Sequence, residues 1–98
     1  ENKTIAEKLG IERRKIDDID NVIIDFIEKR LEIIKIVGKI KKQNNIPIFN
    51  QKREQEILKK AENKKNTEQI KNILKKIMDE SKFIQEELIL GEVKTCGH

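Results

Sequence analysis

From Ile5 to about Lys42 the chain carries one uninterrupted helical pattern, free of proline, in which apolar residues return every three or four positions. At 1.5 Å per residue such a run is a rod of roughly 50 Å or more, whereas a compact domain of this size has a radius of gyration of only about 13 Å. The rest of the 98-residue chain cannot cover that rod. A second copy packed along it is the economical solution, so the pattern predicts an all-α homodimer.

The apolar stripe of this run is interrupted. With Arg30 at zero on a wheel of about 100° per residue, Ile16, Ile19, Ile23, Phe26, Ile34 and Val37 fall within about 40° of it, and Lys41 returns to about 20°. Long charged side chains normally take the opposite face, and a buried cation without a partner is costly. Two cations among Ile, Val and Phe therefore predict an anionic group brought to that face. Gly38, in the same run, costs helix stability relative to Ala and predicts close approach by another backbone or a ligand.

Composition narrows the class. Apolar residues make up 36% and charged residues 41%, but the apolar ones are strongly periodic, which suits a small helical protein and not a disordered one. Three Phe and no Trp or Tyr leave a core of Ile and Leu. The net charge of +4 arises from Lys and Arg interleaved with Asp and Glu, the pattern of a solvated surface. With no aromatic platform for bases, nucleic acid is not expected as a partner. One Cys excludes an internal disulfide, and neither a signal peptide nor an apolar run near 18 residues is present. A cytoplasmic protein with no membrane partner is the expectation.

The remaining chain reads as two further helices in a single domain, residues 1–98. Thr4 and Glu7 form a capping box for a first helix over about 5–42, with Gly10 able to bend its first turn. Pro47 breaks the pattern, and Asn50 stands at the N-cap of a second, short helix over about 51–63, with Glu54, Ile57, Leu58 and Ala61 on one face. Asn66 and Gln69 resemble another capping box before a third helix over about 67–90. With Ser81 at zero on that helix, Ile70, Leu74, Ile77 and Leu88 lie within about 40°, and so does Gln85. Residues 91–98 read as a disordered tail, whose Cys96 and His98 are too few for a metal site.

The polar residues that interrupt apolar faces are thus Arg30, Lys41, Ser81 and Gln85, joined by Arg53 and Glu54 at the start of the second helix. No His, Cys or acid pair is placed for nucleophilic or acid–base work. In order and spacing, Arg13 with 15–20 (KIDDID), Glu28-Lys29-Arg30, 37–41 (VGKIK), Ile46-Pro47-Ile48, Arg53-Glu54 and Ser81 with Gln85 resemble the all-helical chorismate mutases from about Ile11 to Leu88.

That resemblance implies an intertwined helical homodimer in which each active site is completed by an Arg of the partner chain. It implies the Claisen rearrangement of chorismate to prephenate, toward Phe and Tyr, with no metal or cofactor. By matching position, Arg30, the partner copy's Arg13 and Ser81 would bind substrate carboxylates, and Lys41 and Gln85 would contact the ether oxygen. Glu54 would take the ring hydroxyl and Arg53 would hold the site's charges in place. Asn50 departs from the pattern, standing where the family often carries Asp, and the interval from Arg53 to Ser81 is shorter than usual. Two other readings compete: an isochorismate pyruvate-lyase on the same fold, and a non-catalytic helical interaction module. Opening on Glu1 instead of Met, the sequence fits either a free-standing domain or one cut from a longer fusion.

Overall fold

The computed structural model describes residues 2–96, with side chains as far as Leu90. Among these residues the architecture is wholly helical, with α1 over Ile5–Gln43, α2 over Gln51–Lys59 and α3 over Thr67–Cys96. No described helix is long and apolar enough to cross a membrane.

Helix α1 starts at the capping box. The Glu7 amide donates to Thr4 Oγ1 at 3.1 Å and the Thr4 amide to Glu7 Oε1 at 3.0 Å, which satisfies two backbone donors reciprocally. The bond from the Thr4 backbone, and then the bond to its hydroxyl, hold the Glu7 carboxyl below its ordinary range. This contribution is therefore complete above the ordinary carboxylate pKa and fades as pH falls through the lowered value. The helix runs on through Gly10 without interruption.

The stop of α1 comes before Pro47. Asn45 takes the left-handed conformation, φ 55°, the Ile46 amide reaches back to the Lys41 carbonyl at 2.8 Å, and the Asn45 amide to that of Lys42 at 3.4 Å. These are the bonds of a Schellman motif, with an Asn in the position usually held by Gly. Proline follows because it cannot continue the helix, but the left-handed Asn ends it.

Helix α2 closes at Lys59, short of the expected Asn63. The amides of Lys60, Ala61 and Glu62 bond three residues back, to Ile57, Leu58 and Lys59 at 3.1 Å each, a tightening last turn. Asn63, at φ 63°, then turns the chain out of helical geometry. Helix α3 follows, with the Ile70 amide on the Asn66 carbonyl at 3.0 Å. It corrects the expected tail, because its backbone stays helical past Leu90 to Cys96. Gly91 costs about 1 kcal/mol in a helix and does not by itself break one, and Glu92, Val93 and Lys94 continue it. His98 lies outside the described residues.

The chain divides into two compact units, Glu1–Arg30 and Leu31–His98. In the first, the apolar stripe of α1 stands in solvent, with Ile16, Ile19, Ile23 and Phe26 between 48% and 62% exposed. In the second, α2 packs on α3. There Ile57 and Leu58 are half-buried beside Ile70, Leu74 and Ile77. The buried side chains among the described residues are two apolar ones, Ala61 and Met78, and two polar ones, Ser81 and Gln85.

The two described helical glycines of α1 make a contrast. A Cβ at Gly10 would meet nothing within 4 Å, whereas at buried Gly38 it would stand 3.1 Å from Gln85 Cγ and 3.2 Å from Leu88 Cδ1. Gly10→Ala should therefore raise stability by about 0.5–1 kcal/mol. Gly38→Ala should gain nothing or lose, since Gln85 and Leu88 must move aside. Thermal unfolding followed by circular dichroism reads both, and equal gains at the two positions would contradict the tight approach at Gly38.

Candidate active site

At Gly38, side chains of α3 reach the end part of α1. The missing Cβ admits the Gln85 side chain, which is only 4% exposed. Its amide nitrogen donates to the Ser81 carbonyl at 3.2 Å, one turn back on α3, and its Oε1 is buried with no hydrogen-bond partner. Reversing the amide would set two oxygens against each other at Ser81, so the hydrogen bond itself fixes the orientation. One of the two N–H donors of the amide serves Ser81 and the second is available. Ser81, equally buried, turns its hydroxyl onto the Ile77 carbonyl at 2.7 Å.

Lys41 lies one turn beyond Gly38 on α1 and is half-buried. Its ammonium donates to the Ile48 carbonyl at 2.7 Å, so the segment 44–50 is tied to α1 by the Schellman turn and again by this side chain. One of three ammonium donors is used in that bond.

Segment 44–50 delivers Asn50, which caps α2 as expected: its Oδ1 accepts from the Arg53 amide at 3.0 Å. Arg53 is exposed, its guanidinium 3.4 Å from Glu56 one turn on. Glu54 turns toward α3, where its Oε2 meets Lys82 Nζ at 2.9 Å. Lys82 also stands 3.6 Å from Asp79 Oδ1 and 5.2 Å from the centre of the Phe49 ring. The hydrogen bond to Glu54 holds its ammonium above the ordinary lysine range, against an opposing effect of burial.

Lys82 is the residue that sequence reasoning missed. It neighbours Ser81 at the edge of the apolar stripe, a position that reads as solvated surface. Only the register of α2 on α3 brings it to Glu54, and neither helix's own periodicity contains that register.

The structure thus sets Gln85, bonded to the Ser81 carbonyl, against Gly38, and joins Glu54 to the residue after Ser81. Arg13, exposed, and Arg30, half-buried, belong to the Glu1–Arg30 unit. Open depressions on α1 near Gly10 and on α2 near Gln55 are lined by none of the candidate residues. Buried polar groups mark the site. Among the described residues no group of three His, Cys, Asp or Glu could hold a metal ion.

Residues 12–86 match the family model described as chorismate mutase type II. The chain belongs to that family. The matched span takes in every candidate residue, from Arg13 to Gln85. The chain is 33% identical over 84 residues to a T-protein of Enterobacter agglomerans and 35% over 83 to one of Haemophilus influenzae, covering 22% of each relative and 79% and 80% of this chain. It therefore spans about a fifth of the length of those relatives. A protein named chorismate mutase, from Methanocaldococcus jannaschii, is 45% identical over 53 residues, 54% of each chain. Among solved structures, a conserved hypothetical protein from Pyrococcus furiosus is similar at a TM-score of 0.69 and 42% identity, covering 85% of this chain and 99% of that chain.

Within this chorismate mutase domain, Asn50 separates capping from charge. Asn and Asp cap a helix about equally well, whereas Ala lacks the acceptor and typically costs about 1 kcal/mol. Urea unfolding should find Asn50→Asp as stable as the parent and Asn50→Ala less stable by about that amount. An unchanged Asn50→Ala would deny the cap a role in holding α2.

Proposed function

We propose that this chain rearranges chorismate to prephenate as a homodimer. The observation that carries the reading, beside the family, is the Gln85 amide: almost wholly buried, set by its bond to the Ser81 carbonyl, and with one N–H donor left over for a bound group.

The chemistry asks for little else. A pericyclic rearrangement transfers no proton and forms no covalent intermediate, so the protein must hold a flexible dianion in a chair with its reacting ends together. It must also stabilise negative charge growing on the ether oxygen as the C–O bond breaks, which fixed donors in a dry site do best. The remaining N–H of Gln85 and the remaining donors of Lys41 supply that stabilisation. Arg30, Ser81 and the Arg13 contributed by a second copy bind the two carboxylates. Glu54 accepts from the ring hydroxyl, with Arg53 and the Asn50 cap holding the start of α2 around it.

The exposed stripe of Ile16, Ile19, Ile23 and Phe26 supports the dimer. Apolar side chains of this size stabilise an interface by roughly 1.5–3 kcal/mol each when fully buried, and a second copy of the same stripe is self-complementary.

Purified protein should consume chorismate and release prephenate, followed by ultraviolet absorbance and by acid conversion of the product. Gln85→Glu should then be active only where the new carboxyl is protonated, because a carboxylate has no donor and repels the developing charge. Its activity should fall as pH rises while the parent holds steady. A variant with a flat profile would remove Gln85 from the ether oxygen, and an inert parent would overturn the reading.

A further inference from the structure

Lys82 is unlike Lys15, Lys35 and Lys76 in its ion pairing. Those three bridge to a Glu three or four residues away on their own helix and stand in solvent. Lys82, with its side chain 28% exposed, instead crosses from α3 to α2, where the Glu54 carboxylate is equally sheltered at 25%. It is also held from two further directions, by Asp79 on its own helix and by the Phe49 ring at the end of the segment that carries Asn50. A flexible four-carbon side chain with three partners loses most of its freedom, and so does the carboxylate it grips.

Only Oε2 of Glu54 enters this pair, which leaves Oε1 to accept from something else. A carboxylate on a two-turn helix, with several rotatable bonds, would otherwise sample many positions. Fixed by a cation, it presents one oxygen in one direction.

We propose that Lys82 is a positioning residue for the proposed reaction: it clamps Glu54 across the α2–α3 seam so that the free carboxylate oxygen meets the substrate's ring hydroxyl. The assignment rests on the chorismate reading and adds a residue to it. Lys82 itself touches no substrate. The bond it fixes is present in bound substrate and transition state alike, so its loss falls on KM and leaves kcat nearly alone.

The test is a cycle of four proteins assayed for chorismate turnover: parent, Lys82→Met, Glu54→Gln and the double variant, with Lys82→Arg beside them and thermal unfolding recorded for each. Lys82→Met should raise KM about ten-fold with kcat within about two-fold, and Lys82→Arg should restore most of the KM because a guanidinium makes the same clamp. The double variant should be no worse than Glu54→Gln alone, since a clamp has nothing to hold once its carboxylate is gone. If Lys82→Met melts lower but keeps its KM, the pair is merely a tie between helices and the proposal falls. Additive losses would also overturn it, by showing that Lys82 acts on the substrate and not through Glu54. A parent inert toward chorismate overturns the mutase reading and this assignment together, whereas an active parent with an indifferent Lys82 overturns this assignment alone.

Discussion

An amphipathic helix is stable in water only if its apolar stripe is covered, and in the first unit of this chain the stripe of α1 is left open. Ile16, Ile19, Ile23 and Phe26 stand about half in solvent, where helix propensity alone does not hold so Ile-rich a segment. The second unit fares little better, with Ala61 and Met78 as its buried apolar residues among those described. Small domains bury a modest share of their surface and are correspondingly marginal. The proposed association with a second copy would answer both deficits, and would make stability and assembly one equilibrium.

The same economy explains the buried polar pair. Where a core has few residues, Ser81 and Gln85 occupy space that Leu or Met would fill with gain. Their burial is made tolerable by local bonds, Ser81 on the Ile77 carbonyl and Gln85 on the Ser81 carbonyl, yet Oε1 of Gln85 remains unserved. Gly38 is the condition for this arrangement, because any side chain there would compete with Gln85 for the same volume. A glycine that weakens α1 by about 1 kcal/mol is what admits a fixed amide to the interior. In the proposed reaction, the stability given up at Gly38 is exchanged for a donor held in one orientation, which is how electrostatic preorganisation is obtained.

Much of this was legible in the sequence because it is local. The Thr4–Glu7 box, the Asn50 cap and the stripe carrying Ser81 and Gln85 are set by spacings of three and four residues, and periodicity reads those directly. Helix ends were less legible. The stop of α1 depends on Asn45 adopting a left-handed conformation, and the early end of α2 on its last turn tightening to bonds three residues back, before Asn63 takes the left-handed conformation too. Asn permits that conformation without requiring it, so Pro47 looked like the breaker when it only follows one. The Glu54–Lys82 pair was hidden for a different reason: it depends on how α2 lies on α3, a tertiary register that no single helix encodes. Gly38 fell between these cases, since its cost pointed to close approach but not to Gln85 as the group that approaches.

The claim on which the functional account turns is that Arg13 serves a neighbouring copy. Arg13 and Arg30 are seventeen positions apart on one helix, about 25 Å at 1.5 Å per residue, too far for one small dianion to touch both. Arg13→Ala and Arg30→Ala should each abolish most activity, since each leaves a carboxylate without its cation. Unfolded together and refolded as an equal mixture, random pairing makes about half of the dimers mixed, each with one site holding both arginines and one holding neither. Activity near a quarter of the parent's is the predicted result. A mixture that sizes as dimers yet stays as inactive as either variant would contradict the shared site.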